Sequence, residues 1–351
     1  MSTLSITRPT LLDVARYTDP DGKIAKVVNI IQQYNEILDD IPWQEGNLPT
    51  GHQITLATSK PTPTFRLLNA GVVPAKATAG QVTEACAIME NRNQIDINVA
   101  RLNGNTEAFR MRQDKAMIEG FGDTLASKLI YGDSSTTPEE FNGLATRYFS
   151  LGTTYTTSSQ IIDAGGAGST NTSIWLVCWG EDKVFGIYPK GSKAGLDYQD
   201  LGIQEVLTNA TTGAVMRGYT SWMQWQVGLA VADYRHVVRI ANIEITNLET
   251  ASDGTDTSAN LIKYMSQALD KLPPGSGYNP VFYMNNRVRS MLRVKMNDKS
   301  NLYLKDEQLS GTNSFTRRPT LTFQGVPCRL IGFAEGQGIL NTESSIELSS
   351  T

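Results

Sequence analysis

Eight residues, GIYPKGSK at 186–193, come closest in this chain to a known chemical device. Gly186 and Gly191 stand at the spacing of a phosphate-binding loop, G-x-x-x-x-G-K-[ST]. In that loop backbone N–H groups curl round the phosphates, a lysine reaches them, and a hydroxyl meets magnesium. Here the last two residues are inverted, Ser192 before Lys193. The device also needs a helix opening at the lysine, whose N-terminal dipole favours the anion. KAGLDYQDLG, which follows, has no 3.6-residue period, and Pro189 removes one N–H from the would-be cradle. The stretch reads as a turn, with a nucleotide-dependent enzyme as the competing reading.

Other residue types that could react find no partners in sequence. Two histidines, His52 and His236, do not supply a zinc cluster. His236 shares parity with Tyr234, Val238 and Ile240, the pattern of a buried neutral histidine on a strand. DAGGAGST lacks the strand–turn–helix setting of a dinucleotide fingerprint and reads as a loop. Asp39/Asp40 and Glu139/Glu140 fall at helix ends, where solvated or capping roles are ordinary. Trp222 and Trp225 beside Tyr219 read as sheet aromatics, with a stacking platform as the alternative. Arg287, Arg289, Arg293 and Lys295 form the one local basic cluster, either the solvated back of a helix or a salt-bridge face between subunits. No catalytic residue, cofactor site or metal site is assigned.

The bulk numbers agree with a chain that builds. At 351 residues and 40% hydrophobic content it can bury a sizeable core, about two domains' worth. A net charge of -4 argues against a dedicated nucleic-acid binder. Cys86, Cys178 and Cys328, an odd and scattered set, read as reduced thiols. Neither a signal peptide nor a membrane span is visible, so a soluble protein made inside the cell is expected, with no membrane partner.

Several elements must surround these residues. In 23–41, Ile24, Val27, Val28, Ile31, Tyr34, Leu38 and Ile41 make one helical stripe that needs an apolar surface from elsewhere. HQITLAT and NQIDINVAR alternate, the second placing Ile95, Ile97 and Val99 on one face. We read these as two long strands joined by an excursion rich in Pro and Gly, a projection that is marginal by itself. A long helix follows over 105–131, with Phe109, Met117, Phe121, Leu125 and Leu129 in line and Ala108, Met111 and Ile118 widening the stripe. PEEFNGLATRYFSL should fold Phe141, Leu144 and Tyr148 back onto it. SIWLVCWGEDKVFGIYP reads as a hairpin, and 219–245 as one long β-rich run. In the last third, SANLIKYMSQALDKLPP and NRVRSMLRVKM read as helices and NPVFYMN as a buried strand. LTFQGVPCRLIGF gives two strands about a Gly325-Val326-Pro327 turn, so the class is mixed α+β.

In this order, with SIWLVCWGEDKVFGIYPKGSKAGLDYQDLG and MQWQVGLAVADYRHVVRIANIEI between, the elements resemble major capsid proteins of tailed bacteriophages over roughly residues 20 to 340. The resemblance implies the α+β, Hong Kong 97-like capsid fold. It implies an N-terminal arm at 1–42, an extended β-hairpin loop at 43–104, a peripheral domain at 105–249 with spine helix 105–131 and added strands 174–245, an axial domain at 250–334 and a tail at 335–351. It implies a structural subunit of the icosahedral head around double-stranded DNA touched non-specifically, located in the virion and assembled in the host cytoplasm. Implied partners are further copies in pentamers and hexamers, a portal protein, a decoration protein, and a separate scaffolding protein, since the chain starts directly at the arm. Contact candidates between subunits are Ile24, Val28, Ile31, Ile54, Leu56, Lys60, Arg66, Ile95, Ile97, Arg287 and Arg293. The alternatives are an encapsulin-like shell of a cellular nanocompartment, a tail tube or sheath subunit, and the nucleotide-binding enzyme.

Overall fold

A computed structural model gives the fold over residues 35–59, 61–102, 106–209, 212–250, 260–273, 275, 279–296, 304–307, 320–332 and 338–347. In chain order these carry α1 Ile37–Asp40, β1 Trp43–Glu45, β2 Gly51–Ser59, β3 Thr78–Ala85, β4 Ala87–Asp96, α2 Ile97–Arg101 and α3 Thr106–Tyr131. Next come β5 Ile161–Asp163, β6 Asn171–Trp179, β7 Val184–Tyr188, β8 Asp197–Asn209, β9 Ala214–Val231, β10 Val237–Glu244 and α4 Ile245–Thr250. The rest are α5 Leu261–Asp270, β11 Asn279–Met284, α6 Asn286–Met296, β12 Leu304–Glu307, β13 Thr320–Phe323 and β14 Val326–Leu330. The class is mixed α+β.

Every residue of β6 is buried. A strand covered on both faces has to be nearly continuous in apolar residues, which explains the run Ile174–Trp179. Trp175 and Val177 face one layer, filled by Leu125, Leu129 and Ile130 of α3 with Ile37 and Ile41. Ile174 and Leu176 face the other, filled by Leu261, Met265 and Ala268 of α5 and Val288 and Leu292 of α6. The helices expected in the last third are present, and their stripes cover this second face.

β10 and β11 flank β6, both antiparallel to it. β5 continues beyond β10, and β14, β13 and β12 continue beyond β11. A second patch forms around β9, with β4 and β8 on its two edges, β7 along its last residues and β1 parallel to β7. One bridge, Trp179–Val184, joins β6 to β7. Residues 174–188 are therefore not a hairpin, because β6 already has a partner on each edge. The run 219–245 likewise divides between the two patches. β9 ends at Val231, and a 3-10 turn, Tyr234–His236, separates it from β10. The closing hairpin forms as read, except that its turn is Gln324-Gly325, both at positive φ, with Val326 and Pro327 already in β14.

Three further readings need correction. NQIDINVAR is strand only to Asp96, whose carboxylate accepts the N–H of Asn98 at 2.7 Å and starts α2. Ile97 and Val99 are thus helical, because a local cap outcompetes the period-two pattern. The strand opposite β2 is β3, while β4 belongs with β9. On α3, Ala108, Met111 and Ile118 are exposed and do not widen the buried stripe. The first half of that helix is held instead by a buried carboxylate, Asp114, which accepts from Asn93 (2.8 Å), Tyr198 (3.0 Å) and Ser221 (3.1 Å).

The far end of α3 shows how a long helix is stopped. Its last carbonyls have no partner within the helix. The N–H groups of Leu144 and Ala145 bond the carbonyls of Leu129 and Ile130 at 3.0 and 2.7 Å. Phe141, Leu144 and Tyr148 are thereby laid into the core, as the sequence indicates, but on turns and not on a helix.

Beside this end lies a buried ion pair. The Arg239 guanidinium donates to Glu343 Oε2 (2.9 Å), to the Tyr148 carbonyl (2.7 Å) and to Ser173 Oγ (3.1 Å), over the ring of Trp175. The Glu343 carboxylate also accepts from the hydroxyls of Tyr131 and Ser173. Both side chains of the pair are 6% exposed. Removing one partner strands a charge in a dry site, so Arg239→Met alone should cost about 3–5 kcal/mol in chemical denaturation. Arg239→Met with Glu343→Leu should recover much of that loss. A single-variant cost below about 1 kcal/mol would show that the pair does not hold α3 and the 338–347 segment to the sheet.

Candidate assembly surface

β2 and β3 form a two-stranded ribbon apart from the main sheet. Between them, residues 61–77 are exposed throughout. The tip turns at Asn69, which has φ 64°. Arg66 closes the turn by donating from Nη1 to the Ala70 carbonyl at 3.1 Å. On this tip Phe65, Leu67, Leu68, Val72 and Val73 point into solvent, Leu67 81% and Leu68 96% exposed. Apolar side chains gathered so on a surface mark a site that something else covers. Sequence reasoning singled out Arg66 here and missed the five apolar residues, because FRLLNAGVV matches neither a strand nor a helix period.

A second apolar surface lies along α3. Met111, Ile118 and Tyr198, with Glu107, Arg110 and Lys115, line a groove of about 540 Å3 between α3 and β8. Its floor is fixed by the Arg110–Asp200 ion pair at 2.6 Å and by Arg110 lying 4.7 Å from the ring centre of Tyr219.

The contact candidates are scattered. Ile24, Val28, Ile31 and Lys60 lie outside the described residues. Ile54 packs at the ribbon root against Phe185, Ile187 and Ala230, and Leu56 pairs with Gly80 across the ribbon. Ile95, 1% exposed, is covered by its own chain with Ala100 and Phe109, and Ile97 is half-buried beside it in sequence. Neither offers a neighbour much surface. Arg287 and Arg293 are exposed on α6, whereas Arg289, read with them, is buried because the covered side of α6 spans Val288, Arg289 and Leu292.

The loop at 186–193 is a turn. A Cβ on Gly186 would come within 2.4 Å of the Trp43 ring, so this glycine makes room for a tryptophan and not for a phosphate. The Gly191 N–H donates to Glu45 Oε1 at 2.8 Å, and Lys193 reaches Asp197 at 3.1 Å. β8, a strand, follows where the phosphate loop requires a helix. Asp40 is more than a solvated helix end: it accepts from Tyr283 Oη at 2.6 Å and pairs with Arg329 at 3.1 Å. Burial pushes its carboxyl above the usual range against the pull of both partners. His236 sits buried in the turn between β9 and β10, and burial pushes its pKa below the ordinary value, so the neutral ring is favoured. Among the described residues no three metal-ligating side chains converge, and no helix is long and apolar enough to cross a membrane.

A long helix beside long strands, a sheet whose strand β6 is covered on both faces, and a projecting ribbon with an exposed apolar tip together define a capsid-type shell subunit. The chain belongs to the family of major capsid protein GP7, whose family model matches residues 19–347, and it has the α+β, Hong Kong 97-like capsid fold. It is similar to a chain in the near-atomic cryo-EM structure of bacteriophage Epsilon15, at 30% identity and TM-score 0.76 over 99% of both chains. Looser likenesses include the bacteriophage JBD30 capsid (8% identity, TM-score 0.46, 93% of this chain and 98% of that one). Another is the SrpI encapsulin complex of Synechococcus elongatus (11%, 0.39, 70% and 94%). Comparison with curated proteins gave no match. The chain is a shell-forming structural subunit of a virion, built to pack against copies of itself.

Two outcomes follow. Leu67→Ser with Leu68→Ser should leave the melting temperature of the free subunit within error, since both side chains are already in water, and should abolish or greatly slow assembly seen by light scattering. Separately, a depressed histidine pKa favours the fold above the unfolded value of about 6.5 and loses that contribution as pH falls. Thermal stability should therefore decline from pH 7 to 5.5, and His236→Gln should flatten the decline; an unchanged slope removes His236 as its cause.

Proposed function

We propose that this subunit closes into an icosahedral head around double-stranded DNA, with pentamers and hexamers as the capsomers. The observation that carries the reading is the ribbon tip, whose apolar side chains find no cover among the described residues. Neighbouring copies that supply the cover would form interfaces large enough to be obligate. In this reading 1–42 acts as the arm, and the projecting part of the 43–104 loop is the ribbon Gly51–Ala85. α3 is the spine of a peripheral domain over 105–249, and 250–334 supplies the axial domain, with a tail at 335–351. Ile54, Leu56, Arg66, Arg287 and Arg293 are the proposed contact residues within the described structure, with Ile24, Val28, Ile31 and Lys60 beyond it.

A net charge of -4 suits a wall that meets DNA without trapping it, because few phosphates are neutralised. The proposal includes assembly in the host cytoplasm with a scaffolding protein, a portal at one vertex and a decoration protein outside.

The test is electron microscopy of the purified protein, alone and with a co-expressed scaffolding partner. Closed shells of uniform size are expected. A strictly monomeric species under every assembly condition would falsify the proposal, and open cylinders would replace it with a tail tube or sheath. Shells that enclose a cargo enzyme and exclude DNA would place the chain in a nanocompartment. ATP or GTP binding that disappears in Lys193→Ala would revive the enzyme reading.

A further inference from the structure

Neither strand of the β2–β3 ribbon pairs with the twelve-stranded sheet, so whatever orients the ribbon acts at its root. Four contacts meet there. The Cys86 N–H donates to the Thr50 carbonyl at 3.0 Å, the last rung of the ribbon's own ladder where the two strands enter it. The Asn47 side chain, ahead of the ribbon, accepts the Gln53 N–H at 2.7 Å and donates to the Gln53 carbonyl at 2.8 Å, in an exposed position. Ile54 and Cys86 rest on Phe185, Ile187 and Ala230, and the His52 ring meets Phe185 edge-on with centroids 5.5 Å apart. The backbone bond lies within the ribbon and marks its pivot, apolar contact has no preferred direction, and the exposed Asn47–Gln53 bonds exchange with water at small net cost, so these three hold the tilt only weakly.

The fourth contact is both directional and buried. Glu84 is the only buried residue of β3, 4% exposed on a strand otherwise in water or nearly so. Both terminal nitrogens of Arg147 reach its carboxylate, Nη2 to Oε2 at 2.8 Å. The same guanidinium donates from Nε to the Gly143 carbonyl (3.2 Å) and from Nη2 to the carbonyls of Asn142 (3.1 Å) and Leu229 (3.2 Å). The turn after α3 and the strand β9 therefore hold the planar fork, and a fork so held accepts a carboxylate from one direction.

We propose that the Glu84–Arg147 fork is a latch that sets the angle of the β2–β3 ribbon against the body, and that its opening lets the ribbon swing as a unit about residues 50 and 86. The lever is long. Nine residues of β2 span about 30 Å at ~3.3 Å per residue, so a tilt of about 10° at the root moves the far end by about 5 Å. Opening is feasible because the Arg147 side chain is 17% exposed and Glu84 leaves with the ribbon, so both charges reach water. Contacts made by a neighbour on the tip then need to outweigh one charge-assisted fork to carry the ribbon to a second angle. The inference concerns the free subunit and stands even if copies never assemble.

Spin labels at Asn69→Cys on the tip and Ala116→Cys on the exposed side of α3 report the angle as a distance. Cys178 and Cys328 are buried, and burial pushes the Cys86 thiol up to about 11, so the native thiols react slowly at neutral pH. The otherwise native protein should give one narrow distance. Arg147→Lys, which keeps the charge without the fork, and Glu84→Gln, which keeps the volume without the charge, should each broaden the distribution or shift it by about 5 Å while cooperative melting persists. A parent distribution that is already broad overturns the latch, as does an unchanged distribution in either folded variant. Loss of folding in both assigns the pair to stability alone and overturns it too.

Discussion

A carboxylate withdrawn from water must keep its partners, and in this subunit that requirement falls at the seams. Asp114 joins α3 to β4, β8 and β9. Glu343 joins the 338–347 segment to α3, β6 and β10. Asp40, the last residue of α1, joins that helix to β11 and β14. Glu84 joins the ribbon to the turn that stops α3. Apolar burial supplies most of the attraction between these pieces, but it is indifferent to sliding and tilt. Hydrogen bonds to a buried charge are not, and leaving one unmade costs about 1–3 kcal/mol or more. Four acidic side chains therefore help to fix the relative placement of the pieces, beside the strand ladders and neutral contacts such as those of Asn285 and Asn242, while cohesion comes from the two cores on either side of β6.

That division explains which parts were legible in the sequence. The two cores announce themselves through period: the α3 positions Leu125 and Leu129, the α5 positions Leu261, Met265 and Ala268, and the unbroken run Ile174–Trp179 are all buried where pattern puts them. Strand pairing was legible only in the closing hairpin, where a tight turn names the neighbour, because period says which face is covered and nothing about which strand lies alongside. β6 and β7 are adjacent in sequence and apolar, yet share a single bridge. At Asp96 a cap on the backbone overrode three alternating residues. Arg239, Glu343, Asp114 and Glu84 carry no periodic signal, being polar residues at positions where pattern reads only apolar ones, so the seams had to be seen.

The misleading phosphate-loop spacing belongs to the same lesson. Gly186 is small because Trp43 crosses over it, and Gly191 is turned so that its N–H meets Glu45. Both glycines answer to β1, a three-residue strand more than 140 positions earlier in the chain. A local motif is specific only when the elements on either side of it are the ones its chemistry needs, and here a strand stands in place of the helix.

The ribbon tip inverts the usual account of stability. Burying each large apolar side chain is worth roughly 1.5–3 kcal/mol, and five such residues on the tip contribute almost nothing to the isolated subunit. Their combined potential, on the order of 10 kcal/mol before the costs of association, is held outside the fold. A two-stranded ribbon cannot claim it alone, having no third layer to lie against. The subunit is thus complete as a folded body and incomplete as a surface. Its folding free energy resides in the cores around β6, and the assembly proposed above draws on side chains that folding leaves in water, a set of residues that hardly overlaps the first.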